Sequence, residues 1–206
     1  MKIFGIGMNY VEHNKELHET LLRTEQPVVF TKADSALLTQ GQPFFIPDFT
    51  SRCDHEAELV VRISRLGRSI PVRFACRYYD AVTVGVDFTA RDLQQQLRAG
   101  GLPWDLCKGF DGSAVVGQFV PLTELGRDIQ DLHFSLHRNG TAVQTGHTAQ
   151  MLYSVDELVS FISRYFTLKT GDLIFTGTPA GVGPVSIDDH IDGYLEERHL
   201  LSFNVK

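Results

Sequence analysis

The sequence predicts a β-rich α+β fold in a single domain spanning 1–206, and three observations carry that reading. Apolar or alternating runs of strand length outnumber segments with helical spacing. Hydrophobic residues make up 43% and charged residues 21% of the chain, the balance of a globular protein that buries a sizeable core and not of a disordered one. The 206 residues show no internal repeat and no low-complexity stretch, so one domain accommodates them.

Taken in order, the opening Lys2 to Ile6 is closed by Gly7 and reads as a strand, while Tyr10 to Arg23 is polar with helical spacing and predicts a mostly solvated helix. Gln26 to Lys32 is β-branched and aromatic, a second strand, and Pro43 and Pro47 exclude a helix in the turn-rich stretch after it. Glu56 to Ile63 alternates and then turns continuously apolar, as a strand entering a core does, and Asp80 to Val86 repeats that style. Ala90 to Ala99 predicts a helix ended by Gly100 and Gly101. The run SAVVGQFV predicts another strand, and Asn139-Gly140 between two alternating runs is the best hairpin turn in the chain. Val155 to Tyr165 is an amphipathic helix with Asp156 and Glu157 in its first turn, where acids suit the helix dipole. The end reads as a strand, a glycine-rich loop and two short strands.

The net charge of −6 and the lack of a basic stripe argue against a nucleic-acid partner. No stretch approaches the ~18 apolar residues that cross a bilayer, and MKIFGIGMNY has no signal-peptide layout, so a cytoplasmic location is the default expectation. The three cysteines, Cys53, Cys76 and Cys107, lie far apart without a CxxC pair, which predicts reduced, packing thiols.

Several residues could carry chemistry. Glu56 and Glu58 sit at i and i+2 of a strand and project from one face, and Asp87 ends another apolar run. Like charges gathered there are costly unless a cation joins them, and an all-oxygen set suits Mg2+, Mn2+ or Ca2+ over zinc or copper. On spacing alone, three edge-strand solubilisers fit equally well. Lys108 is either a fixed positive charge leaning into a cleft or a snorkelling surface lysine. Arg91 could grip a carboxylate or pair with Asp92 or Asp87. The loop Thr176 to Gly183 offers free N–H groups and a hydroxyl to an anionic oxygen, and is no Walker loop because no Gly-Lys-Ser/Thr follows. His13 and Glu16, at i and i+3, would share a helix face as base and orienter, or form part of a solvated charged face.

Taken together, Gly7-Met8-Asn9-Tyr10 with His13 and Glu16, HEAEL at 55–59, VDFTARDLQ at 86–94, LPWDLCKGFD at 102–111 and GDLIFTGTPAGVGP at 171–184 resemble the fumarylacetoacetate hydrolase family. The resemblance implies a mixed β-sandwich roll of that family's C-terminal-domain type, a homodimer, and a Mg2+ or Mn2+ ion at the mouth of a cleft. It makes Glu56, Glu58 and Asp87 the metal ligands and Lys108 the active-site lysine. Arg91, Gln94 and Thr178 would contact a small 2-keto acid substrate. His13 and Glu16 would sit on a mobile lid, about residues 10–23, as a His-x-x-Glu pair that hydrolytic and decarboxylating members carry and isomerising ones often lack.

Met8 stands where many relatives have a basic residue, Ser186 to Asp189 replaces a Gly-Asp turn, and the chain is similar to the short, catalytic-core subgroup without an extra N-terminal domain. The implied activity is a metal-dependent hydrolase or decarboxylase that breaks a C–C bond of an acylpyruvate or of an oxaloacetate-like acid through a metal-stabilised enolate. The alternatives are an isomerase or tautomerase of unsaturated 2-hydroxy or 2-oxo diacids, and a catalytically silent metal-binding scaffold.

Overall fold

The computed structural model describes residues 1–16 and 24–206. In chain order the first half runs β1 (Ile3–Gly7), α1 (Val11–Glu16), β2 (Val28–Lys32), β3 (Cys53–His55), β4 (Ala57–Ile63), β5 (Tyr79–Asp87), β6 (Thr89–Ala90), α2 (Arg91–Ala99) and α3 (Asp105–Lys108). The second half runs β7 (Ala114–Val116), β8 (Val120–Pro121), α4 (Leu122–Leu125), β9 (His133–Arg138), β10 (Thr141–His147), α5 (Val155–Tyr165), β11 (Leu173–Phe175), β12 (Gly183–Pro184), β13 (His190–Leu195) and β14 (Arg198–Asn204).

Strands dominate, as predicted, and form a mixed β-sandwich roll. A seven-stranded sheet has the order β2-β1-β11-β4-β5-β7, with β8 also on β5, and a four-stranded sheet has the order β10-β9-β13-β14. A small third sheet, β12-β3-β6, lies in the region of the cleft described below. In the large sheet β1 and β11 run parallel, while β4 pairs antiparallel with both β11 and β5.

The main core fills the space between the two larger sheets, with Leu59, Val61, Val82 and Val84 on one side and Phe134, Leu136, Ile191 and Leu201 on the other. Val60 points the opposite way, into a second cluster with Ile3, Leu173 and Phe175. Each face of β4 therefore has its own core, which explains its unbroken apolar run. Helix α5 closes one end with Leu158, Val159 and Ile162, and a Ser154–Glu157 capping box fixes its start.

Several elements differ from the sequence reading. The strand expected from Glu56 breaks at Glu56 itself, between β3 and β4. The run SAVVGQFV splits into β7 and β8 because the Gly117 N–H bonds Val84 O while the next N–H, of Gln118, bonds Leu200 O in β14, so the chain steps from one sheet toward the other. The hairpin turn matches: Asn139 and Gly140 have φ of 53° and 77°, the pair of positive values that a type I′ turn requires. The helix predicted over Tyr10 to Arg23 is present as α1, residues 17–23 of that span and of the expected lid lie outside the described residues, and His13 and Asn14 of α1 are buried where a solvated helix was expected. Among the described residues no helix is long and apolar enough to cross a membrane.

Candidate active site

Backbone pairing brings the three acids together. Glu58 lies opposite Gly85 in the β4–β5 ladder, and the Asp87 N–H donates to Glu56 O at 2.9 Å. One carboxylate oxygen from each of Glu56, Glu58 and Asp87 lies within 4.8 Å of the others, and all three residues are buried. The strand end rather than the i, i+2 spacing makes the cluster, since Glu56 sits in the break before β4.

Buried cations face this charge. Lys108 ends α3 with 3% exposure, and its Nζ donates to Glu56 Oε2 at 2.7 Å, Asp87 Oδ2 at 2.9 Å and Thr89 Oγ1 at 2.6 Å. Those bonds use every proton of the ammonium, so the reading of Lys108 as a snorkelling surface residue is set aside. Arg91 opens α2 and bonds Glu56 Oε1 at 2.6 Å, Asp54 Oδ2 at 2.8 Å and Gln94 Oε1 at 2.6 Å. The alternative pairing with Asp92 or Asp87 is not formed, and Asp92 turns instead to Thr50 and Ser51.

Lys32, which the sequence reading treated only as a strand end, is fully buried and faces Asp87 Oδ1 at 2.6 Å while donating to Lys108 O and Ser113 Oγ. The approach to Asp87 is a short ion pair between two fully buried groups.

These neighbours pull the two glutamates apart. Burial raises the Glu56 carboxyl, but Lys108 and Arg91 outweigh it and hold the group below the usual carboxylate range. Glu58 is raised well above that range, first by burial and then by Asp87 and Glu56, against the charge of Lys108 and a short bond of 2.6 Å from the Gly177 N–H. Burial opposes the charge on Lys108, yet Asp87 and Glu56 keep its pKa above the ordinary lysine value.

Three buried carboxylates that must either hold a proton on Glu58 or gain positive charge fit a hard divalent cation. Mg2+ and Mn2+ both accept this all-oxygen set.

The rest of the predicted residues surround the same cleft. His13, Arg91, Gln94, Lys108 and Thr178 line one narrow cavity together with Glu56, Met8, Phe30 and Trp104. His13 Nδ1 lies 3.5 Å from Glu16 Oε2, an ion-pair separation longer than a good hydrogen bond. Glu16 also accepts the Gly181 N–H at 3.1 Å, so α1 is tied to the loop after β11. Burial lowers the His13 pKa below its ordinary value, which leaves the imidazole neutral near pH 7.

In the loop, Gly177 has φ 101°, and a Cβ there would lie 2.7 Å from Asn9 Cβ. Asn9, fully buried, donates to Thr176 O and Tyr153 O and so fixes the loop against β1. Sequence reasoning missed Lys32, Asp54, Asn9 as an anchor, and the buried Gln144, whose amide meets Thr178 at 2.9 Å. The one local sign of Asp54 was its place two residues before Glu56, on the same alternation.

The chain matches the family described as fumarylacetoacetate (FAA) hydrolase, C-terminal, over residues 2–206. A curated relative, the mitochondrial oxaloacetate tautomerase of Mus musculus, is 37% identical over 204 residues, which cover 99% of this chain and 91% of that protein. The crystal structure of fumarylpyruvate hydrolase from Pseudomonas aeruginosa, in complex with Mn2+ and pyruvate, superposes with a TM-score of 0.92 at 34% identity, covering 100% of this chain and 89% of that one. For 2-hydroxyhepta-2,4-diene-1,7-dioate isomerase from Mycobacterium marinum the TM-score is 0.84 at 31% identity, with 99% and 73% covered.

Proposed function

The chain belongs to the fumarylacetoacetate hydrolase family, and from that premise we propose that it is a divalent-metal-dependent hydrolase or decarboxylase cleaving a C–C bond of a 2-keto acid, an acylpyruvate or an oxaloacetate-like diacid. The observation that carries this reading is the buried His13 sharing one cavity with Glu56, Arg91 and Lys108, beside the three-carboxylate cluster.

Glu56, Glu58 and Asp87 would hold Mg2+ or Mn2+, which when bound supplies Lewis-acid polarisation of a keto oxygen. His13, whose Nδ1 lies 3.5 Å from the Glu16 carboxylate, is the base that takes a proton from the attacking water. Lys108 places a fixed positive charge beside the oxygen on which negative charge develops. Gln94, held by Arg91, and the Thr178 hydroxyl bind the substrate carboxylate. Two such chains form the homodimer that the family resemblance implies, which sedimentation equilibrium checks.

The likeness to a protein named oxaloacetate tautomerase favours a second reading, proton transfer between keto and enol forms without attack by water. Turnover on acylpyruvates, oxaloacetate and muconate-type dienes with Mg2+ or Mn2+ separates the two. Pyruvate release supports cleavage, keto–enol interconversion without pyruvate supports the tautomerase, and no turnover with metal bound overturns both.

A further inference from the structure

Gln144 reaches the site from the four-stranded sheet, far from every motif that announced the site. The β9–β10 ladder pairs Ala142 with His137 but Gln144 with Leu136, so Val143 is an extra residue in β10. Such a bulge re-aims the side chain that follows it, and Gln144 points inward with 2% exposure.

The orientation of its amide follows from its neighbours. On one side Oε1 accepts the Ala57 N–H at 2.9 Å, and a backbone N–H meets only an acceptor. On the other, Nε2 donates to Pro179 O at 3.1 Å, and a carbonyl meets only a donor. A flipped amide would put donor against donor and acceptor against acceptor, so the remaining bond runs from Nε2 to Thr178 Oγ1 at 2.9 Å. His55 Nδ1, also 2.9 Å from Oε1, must then carry a proton.

The consequence falls on Thr178. Its oxygen already accepts from Gln144, and toward Pro179 O its hydroxyl can donate only over 3.5 Å, well beyond the about 2.5–3.0 Å of a good O–H···O bond, so a closer acceptor in the cavity would take the proton. We propose that Gln144 is a positioning residue that turns the Thr178 hydroxyl proton into the cavity, making Thr178 a donor to a substrate oxygen. The same amide grips Ala57, between Glu56 and Glu58, so one side chain sets the spacing between the acid cluster and the anion-binding loop. This proposal rests on the 2-keto acid reading of the site.

Oxalate, an unreactive analogue of a 2-keto acid, serves with Mn2+ as the probe. Gln144→Glu keeps an acceptor toward Ala57 but faces Thr178 with a second acceptor, so the hydroxyl proton is drawn away from the cavity. Oxalate affinity of the Mn2+-loaded protein should fall by about tenfold, the usual loss for one hydrogen bond to a charged group, while Mn2+ affinity stays within about twofold. Gln144→Met, which removes the amide without adding charge, should give a smaller loss in the same direction.

The decisive comparison uses Thr178→Val. If Gln144 acts through the hydroxyl, Gln144→Glu costs oxalate binding nothing further in that background. A full additional loss in the double variant, or unchanged oxalate binding in Gln144→Glu, overturns the proposal. A parent protein that binds Mn2+ but no oxalate overturns the 2-keto acid reading instead, a result the parent alone reveals.

Discussion

His13 separates two kinds of chemistry within one cavity. Because it lies beside the acid cluster without belonging to it, His13→Ala should lower acylpyruvate hydrolysis by about 10²–10⁴-fold and leave oxalate affinity within about twofold, as steady-state kinetics and calorimetry check. Burial depresses its pKa, so the acid limb of the parent's rate profile should fall below the ordinary histidine value of about 6.5. Glu58 gives the opposite sign. Without metal it keeps its proton where an unfolded glutamate, near 4.3, has lost it, so the native state binds more protons and stability declines as pH rises above that value. Glu58→Gln should flatten the fall in thermal midpoint between about pH 5 and pH 7 in the metal-free protein, and weaken Mn2+ binding by more than about tenfold. The clustering of Glu56, Glu58 and Asp87 was legible because each sits in a short motif. Asp54 and Gln144 were not, since their partners Arg91 and Thr178 lie 37 and 34 residues away and only the fold joins them.

Among the elements, the loop after β11 is the most constrained. Gly177→Ala combines a left-handed φ with a close approach to Asn9, and should cost about 1–3 kcal/mol in chemical denaturation while lowering oxalate affinity, because the Gly177 N–H can no longer meet Glu58 squarely. A midpoint within error of the parent would show that the loop relaxes freely. Local chemistry made the Asn139-Gly140 turn and helix α5 readable in advance, since a type I′ turn and a capping box depend on neighbours in sequence. Helix α1 was misjudged for the converse reason. Its polar pattern resembles a solvated face, and only the tertiary structure supplies the cavity that takes His13 and the loop N–H that takes Glu16.

For the whole molecule, an ion bound at the acid cluster would couple ligand binding to global stability. Glu58 and Asp87 lie on β4 and β5 with Glu56 just ahead of β4, so an ion held by all three ties the middle strands of the large sheet together. Mn2+ at about a hundred times its dissociation constant should stabilise the fold by about 2.7 kcal/mol, reversed by chelator, whereas Asp87→Asn should lose most of that gain and depress cleavage and enolisation together. Differential scanning calorimetry with and without Mn2+ checks it, and an equal gain in Asp87→Asn would place the ion elsewhere. The fold class was readable from the strand count and composition. The pairing of sheets was not, because period and propensity say which face is apolar but not what covers it.

The extra residue at Val143 has a consequence for how such a chain can change length. Because Val143 has no partner in β9, loss of that one residue would leave every other pair of the ladder in place and merely straighten the strand, whereas losing one residue from β9 would slip the register and reverse the facing of every residue beyond the cut. In a deletion scan, loss of one residue within β9 should therefore abolish activity, while loss of Val143 should keep the ladder and disturb only the aim of Gln144. The second sheet, which contributes no metal ligand, thus holds its place in the enzyme through a residue count as much as through a residue type.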